Sequence, residues 1–442
     1  MPNVPRRPDP VQTPEPPSEA PSINHATLRN RSFVDRLGHP LLWMQFFSLL
    51  NDHSLKQLSL LLLLQRQTAR DGWFDLQGVA LVVFALPFLT LGRIAGGSID
   101  RGSPMRLLVI WKAVEIIWML LVGALYLLHP QPPALWVLIA LAGMAVQSAF
   151  LTPAKYATLL QLFPHDEVLR RNGQMQTVGY LAILAGSGGA GWFVSGGRVA
   201  GASLASTLVG VAVAGWVCSI GVSHASATPK RQPIASPAAD GDTATAAQTV
   251  WRIPSLRFVM VAYATLWWIA GMYHPTINAF CVDSLGLSGL QTGGMLAVSV
   301  VGIATGCWVA GHRPRSAALS PTVALGLIVS QSILVAVVIA GPETDPLLFA
   351  GLLFAMGWWT GLIVLPLHVS IQTLAPENQR GRVLAFQQWM NWAAILAAGL
   401  WFALTARLWG DHPRHGFAVI TVLTTFALVA GIAWQRRTNG IG

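Results

Sequence analysis

From Leu41 onward the chain alternates long apolar runs with short polar interruptions. Each run is about 20 residues, the length an α-helix needs to cross a hydrocarbon core of about 30 Å. The pattern predicts twelve such helices, over residues 41–64, 76–96, 105–128, 134–152, 173–194, 199–222, 258–280, 288–311, 318–340, 347–372, 383–406 and 416–435. The longest polar interruption, residues 223–257, holds Ala-Ser-Ala-Thr-Pro-Lys-Arg and Ala-Ala-Asp-Gly-Asp-Thr and reads as a linker. The predicted organisation is a first six-helix half over 38–222, a cytoplasmic linker over 223–257, a second half over 258–437 and a short tail over 438–442. Residues 1–37 carry Pro2, Pro5, Pro8, Pro10, Pro14, Pro16, Pro17 and Pro21 and no apolar run, so they are expected to be a disordered cytoplasmic tail without a signal-peptide core.

Composition agrees with this all-α polytopic membrane class. Charged residues make up 10% of the 442 residues and hydrophobic ones 53%, where a soluble domain carries roughly a quarter charged. The net charge of +10 need not signal nucleic acid, because Lys and Arg concentrate on the cytoplasmic loops of membrane proteins. Numbering loops from a cytoplasmic N-terminus places most of the 28 basic residues on one side, among them Arg93, Arg101, Arg106, Arg170, Arg171, Arg252, Arg257, Arg313, Arg315, Arg380, Arg382, Arg436 and Arg437. The other side receives Arg66, Arg70, Arg198, Arg407 and Arg414. Both termini are therefore expected in the cytoplasm. Cys218, Cys281 and Cys307 are scattered and build neither a disulfide framework nor a metal pair.

Polar residues inside the spans carry the candidate chemistry. Asn51-Asp52-His53-Ser54-Leu55-Lys56-Gln57 interrupts the first span. Asp and Lys at a helix centre cost about 2.5 to 3.5 kcal/mol each on the insertion scale, so this span has to face protein or water. Asp52 and Lys56, one turn apart, either neutralise each other or line a substrate or ion path, the usual role of intramembrane charge. Gly96-Gly97-Ser98-Ile99-Asp100-Arg101-Gly102 follows the second span. Its glycines allow a tight helix exit, and Asp100 suits the N-terminus of a neighbouring helix or a basic group. The corresponding Gly311-His312-Arg313-Pro314-Arg315 in the second half has no acid. Lys112 and Glu115, three apart in the third span, read as a structural ion pair. His274, Asn278, His368 and Asn391 are isolated polar groups, each either an interhelical hydrogen bond or a ligand contact.

The halves resemble each other weakly. Pro153-Ala154-Lys155 with Gln161, Pro164 and Arg170-Arg171 parallels Pro366-Leu367-His368 with Gln372, Pro376, Arg380 and Arg382. Repeated halves with a substrate site between them are common in transporters. Enzyme and pump signatures are missing from the sequence. None of Lys56, Lys112, Lys155 and Lys230 follows a glycine, so no phosphate-binding loop for ATP is present. No His-Glu metalloprotease pair and no Gly-x-Ser-x-Gly elbow occurs.

The first half is similar to the lysophospholipid transporter family, a branch of the major facilitator superfamily. The similarity runs through Phe46-Phe47-Ser48-Leu49-Leu50-Asn51-Asp52-His53-Ser54-Leu55-Lys56, Trp111-Lys112-Ala113-Val114-Glu115-Ile116, Gln147-Ser148-Ala149-Phe150-Leu151-Thr152-Pro153-Ala154-Lys155-Tyr156 and Asn172-Gly173. It thins in the second half to Val364-Leu365-Pro366-Leu367 and Trp434-Gln435-Arg436-Arg437. The resemblance implies a major-facilitator-like fold and carriage of lysophospholipids such as 2-acyl-glycerophosphoethanolamine from the outer to the inner leaflet of a bacterial inner membrane. It also implies functional coupling to a separate acyltransferase, no cofactor and no nucleic-acid partner. In such a carrier Asp52 meets an ammonium and Lys155 a phosphate, while Lys56, His274 and Asn391 complete the substrate site. Asp100 and Arg101 form the gate.

The sequence departs from the family at two places. Met272-Tyr273-His274-Pro275 stands where free-standing members carry an Arg, and Asn391 where they carry a Glu, which brings the headgroup preference into question. The rival within the class is a major facilitator that exports other amphiphiles or drugs. A membrane acyltransferase is the rival outside it, but none of the eleven histidines has an Asp five positions later, and the end at Gly442 is expected to leave no room for a further domain.

Overall fold

The computed structural model describes residues 25–66, 76–129, 131–195, 202–225, 246–313 and 341–409, with short helical runs inside 328–339 and 417–429. These residues form α1 (His25–Arg66), α2 (Leu76–Arg101), α3 (Pro104–Leu128), α4 (Ala134–Leu162), α5 (Val168–Ser195), α6 (Ala202–Ala225), α7 (Ala246–Arg252), α8 (Pro254–Ala279), α9 (Gly289–Gly311), α10 (Pro346–Leu374) and α11 (Arg380–Trp409). No strand occurs among the described residues. Eight helices are long and apolar enough to cross a membrane by length and composition. The helices α1 and α11 are also long, at 42 and 30 residues, but are interrupted by polar residues.

Helix boundaries follow local chemistry. Ser103 caps α3 by accepting from the Arg106 amide, with Pro104 in the first turn, where its missing N–H has no role. Ser288 and Gln291 close a reciprocal capping box on α9. Asp345 caps α10 ahead of Pro346.

Two expected segments differ from the sequence prediction. The helix α1 starts at His25, inside the stretch expected to be a disordered tail over 1–37, because no proline falls between Pro21 and Pro40 and nothing there breaks a helix. The linker expected over 223–257 is helical at both margins: α6 runs to Ala225, and α7 and the start of α8 occupy its second part. The ninth and twelfth expected spans lie largely outside the described residues.

The helices pack as two groups. In the first half α1 packs on α5 and α6, α3 on α6 and α4, and α2 on α4; in the second α9 packs on α10, and α8 on α10 and α11. The halves meet where α2 lies along α11 and α5 along α9. One buried core, with Leu41, Ile99, Leu108, Leu159, Met175, Leu256, Cys307, Leu365 and Val383, joins both halves at the end where Asp100 sits. At the opposite end each half keeps its own core, around Leu63, Phe84, Tyr126 and Leu141 in the first and around Phe280, Phe349, Met272 and Ala398 in the second. Among the described residues the two halves therefore share one core at the Asp100 end, while toward the other end their cores are separate apart from Trp392, which packs on the first-half core.

Close backbone approach closes the Asp100 end. A Cβ placed on Gly96 of α2 would lie 2.6 Å from the Arg382 Cα, and one on Gly381 would lie 2.7 Å from the Gly96 carbonyl oxygen. Only glycine fits on either side of this crossing.

Candidate functional site

The polar interruption of α1 forms two separate sites. Asp52, 7% exposed, turns toward α4, where its Oδ2 accepts from Ser148 Oγ at 2.8 Å. Its Oδ1 has no partner among the described residues. Lys155 lies seven residues beyond Ser148 on α4, two turns along the same face, and is 3% exposed. Asp52 and Lys155, of opposite charge, thus lie within electrostatic reach of each other without forming a salt bridge among the described residues.

A second network lies behind Asp52. Lys112 Nζ donates to Glu115 Oε2 at 2.6 Å with both side chains buried. Gln147 Nε2 donates to the same oxygen at 3.1 Å and Asn51 Nδ2 to Oε1 at 3.0 Å. The Ser148 hydroxyl also lies 3.2 Å from Gln147 Oε1, so its single proton is offered to Asp52 or to Gln147. Three donors satisfy the Glu115 carboxylate, which is the condition for keeping such a charge in a low-dielectric interior.

Lys56 does not neutralise Asp52. It extends the other way and places its ammonium 5.0 Å from the Phe84 ring and 5.8 Å from the Trp392 ring, between α2 and α11. Four residues separate the two along a helix, which allows contact but does not impose it; here the aromatic surface wins Lys56 and the hydroxyl wins Asp52. His274 is exposed and within electrostatic reach of Lys56. Asn391 is buried and engaged: oriented with its amide oxygen toward α8, it accepts from Trp267 Nε1 at 3.3 Å and donates to the Gln387 carbonyl at 3.2 Å. It ties α8 to α11.

Asp100 takes part in the closed end, but its partner is Arg382 and not its neighbour Arg101. Asp100 Oδ1 accepts from the Gly381 amide at 2.6 Å and Oδ2 from the Arg382 amide at 3.1 Å, with Arg382 Nε 3.6 Å away. These amides are unsatisfied donors at the α11 N-terminus, so an acid from one half caps a helix of the other and meets its positive dipole end. Arg101 is exposed. Beside this cap, Asn172 of α5 and Gln372 of α10 exchange both amide hydrogen bonds, at 3.0 and 2.9 Å, and Thr177 Oγ1 donates to the Ala304 carbonyl at 2.9 Å.

Sequence reasoning missed the aromatic partners of Lys56 and the ring cluster at His368. The latter is buried against Tyr156 and Tyr263, with Nδ1 2.7 Å from Gln387 Nε2. The readable signal was the spacing of Phe84 and Phe88, one turn apart. Among the described residues no cluster of three His, Cys, Asp or Glu would hold a metal ion.

Comparison with known proteins places this geometry in a family. The chain is 25% identical to the lysophospholipid transporter LplT of Cronobacter sakazakii, over 92% of this chain and 98% of that protein. It is 27% identical to LplT of Photorhabdus laumondii, over 90% of this chain and 89% of that one. Among solved structures, a bacterial homologue of the iron transporter ferroportin in its outward-facing state superposes with a TM-score of 0.67 at 16% identity, covering 90% of this chain and 99% of that one. The fucose:proton symporter FucP of E. coli gives 0.63 at 14%, covering 88% and 97%. These likenesses establish the fold. The sequence pattern of the Major Facilitator Superfamily matches residues 71–398, and with a multi-pass helical bundle in two halves the chain belongs to that superfamily.

Proposed function

We propose that this protein is a secondary carrier of lysophospholipids, such as 2-acyl-glycerophosphoethanolamine, working by alternating access in a bacterial inner membrane. The observation that carries the reading is the near end-to-end match to proteins named lysophospholipid transporter. The site chemistry supports it. A lysolipid brings one acyl chain and a compact charged head, and Asp52 and Lys155 offer unpaired buried charges of both signs to that head. Lys155 lies beside the shared core at the closed end, which suits release of the phosphate better than first capture.

The excess of Lys and Arg on the Asp100 side supports assigning that side to the cytoplasm, with both termini there. On that assignment the end opposite Asp100 faces outward, and lipid enters from the outer leaflet for reacylation by a separate acyltransferase. The chain itself then transports and does no chemistry on the lipid. Reconstituted vesicles with labelled lysophosphatidylethanolamine in one leaflet test the reading: protein-dependent leaflet exchange is expected, and exchange no faster than in protein-free vesicles overturns it. The departures at His274 and Asn391 favour a second reading, a carrier of other amphiphiles or drugs. Displacement of bound lysolipid by cationic drugs, with no reverse displacement, selects that reading.

A further inference from the structure

Lys56 sits in an aromatic site assembled from both halves. Phe84 and Phe88 on α2 are buried, with ring centroids 5.7 Å apart, and each lies 5.1 Å from Trp392 on α11. Phe88 stacks on the Trp392 ring at 26°, and Phe84 meets it edge-on at 65°. The Lys56 ammonium lies over Phe84 and Trp392, and no carboxylate pairs with it among the described residues. Lys56 and Trp392 are both half-buried, so the site is not sealed inside the core, and His274 lies within electrostatic reach of Lys56.

A primary ammonium is strongly hydrated and seeks hydrogen-bond acceptors, which these rings do not supply. A quaternary ammonium has no N–H to satisfy and is the cation that aromatic faces bind best. We infer that Phe84, Phe88 and Trp392 form a second headgroup position, separate from Asp52 and Lys155, that takes the trimethylammonium of a phosphocholine lipid at another stage of its passage, with Lys56 as a tethered cation that the ligand displaces. The freed Lys56, on its flexible four-carbon stem, then donates to the ligand's phosphate as a point charge. Because Phe84 and Phe88 come from one half and Trp392 from the other, the occupied subsite bridges the two halves. The inference rests on the lysolipid reading and narrows its headgroup toward phosphocholine.

The test is equilibrium binding of lysophosphatidylcholine and lysophosphatidylglycerol, which lacks an ammonium, to the full chain in lipid nanodiscs, with lysophosphatidylethanolamine as a third ligand. The wild type is expected to bind the phosphocholine lipid more tightly than the phosphoethanolamine lipid. Trp392→Leu is expected to lower the phosphocholine to phosphoglycerol affinity ratio about tenfold, and Trp392→Phe less than threefold. Lys56→Gln is expected to weaken all three lipids, since each carries a phosphate. Phe84→Leu gives an independent readout of the same ratio if Trp392→Leu folds poorly. An unchanged ratio in Trp392→Leu or Phe84→Leu, or tenfold tighter binding of the phosphoethanolamine lipid by the wild type, overturns the subsite alone. Absence of binding to any lysolipid overturns the transport reading and the subsite together.

Discussion

Asn172 and Gln372, 200 positions apart and both buried, form a closed pair in which each amide nitrogen donates to the other's oxygen. The pair joins α5 of one half to α10 of the other at the end where a single core spans both. Replacing Asn172 leaves the Gln372 donor and acceptor without these partners, and replacing Gln372 leaves the Asn172 oxygen without one while its nitrogen keeps the Val168 carbonyl; each loss costs about 1–3 kcal/mol, whereas removing both with apolar groups costs much less. Asn172→Leu or Gln372→Leu alone is therefore expected to loosen the closed end, and the double variant to restore part of the closure. Accessibility of single cysteines to a membrane-impermeant label from each side measures it. Additive single effects would show that the two amides act independently.

Asp100 is the charged counterpart of that amide pair. In Asp100→Asn the amide nitrogen would face one of the Gly381 and Arg382 N–H donors, so one bond becomes a donor–donor contact. A charge-assisted bond is worth roughly twice a neutral one. The expected shift in labelling is toward opening at this end, with lysolipid affinity retained. Unchanged labelling from either side counts against a gating role.

Gly96 tests the same interface by shape. Its Cβ would meet backbone atoms of Gly381 and Arg382 at under 3.0 Å, and backbone cannot step aside as a flexible side chain does. Gly96→Ala is expected to push α2 from α11 and slow transport severalfold or more, while Gly92→Ala, whose Cβ would find the Ala385 oxygen at 3.5 Å, is expected to transport normally. Equal rates for the two variants would show that the crossing is looser than its geometry.

Much of this was legible in the sequence because membrane helices announce themselves by length and hydropathy. The Gly96 to Gly102 stretch at the end of α2 and the polar run at 51–57 stood out for the same reason, since each breaks an apolar pattern. What the sequence did not reveal was direction. Asp52 and Lys56 are one turn apart on a helix, and only the packed neighbours decide that one turns to Ser148 and the other to Phe84 and Trp392. Likewise Asp100 has Arg101 beside it in the chain, yet caps α11 across the interface. Long-range partners of this kind leave no local periodicity, and a lone Asn such as Asn391 looks the same whether it meets a ligand or the Trp267 indole.

Lys112 and Glu115 give a stability prediction. Removing one partner of a buried ion pair is destabilising by about 3–5 kcal/mol, and Glu115 would keep the Asn51 and Gln147 donors. Lys112→Met is therefore expected to lower the thermal midpoint of the purified protein clearly but less than Glu115→Leu, which strands the Lys112 ammonium and the Asn51 amide at once while Gln147 keeps the Trp111 carbonyl. Thermal unfolding of the two variants in the same detergent checks the order, and the reverse order would show that the carboxylate, left with neutral donors, is the costlier group.

Asp52 is the residue on which the binding role of α1 turns. Its Oδ2 is held by Ser148, while Oδ1 is buried without a partner among the described residues, and Lys155 lies within electrostatic reach without an ion pair there. A carboxylate kept for packing alone would have both oxygens satisfied, because an unpaired buried acceptor costs free energy that folding alone does not recover. Asp52→Asn preserves shape and still accepts from Ser148, so expression and folding are expected to persist. The negative charge is gone, however, and with it the counter-charge to a cationic headgroup and to Lys155. Leaflet exchange of lysolipid is expected to fall by at least tenfold, and Ser148→Ala, which keeps the charge, by much less. Wild-type rates in Asp52→Asn would assign the α1 carboxylate to structure and move the search for the headgroup site to Lys56 and its aromatic partners.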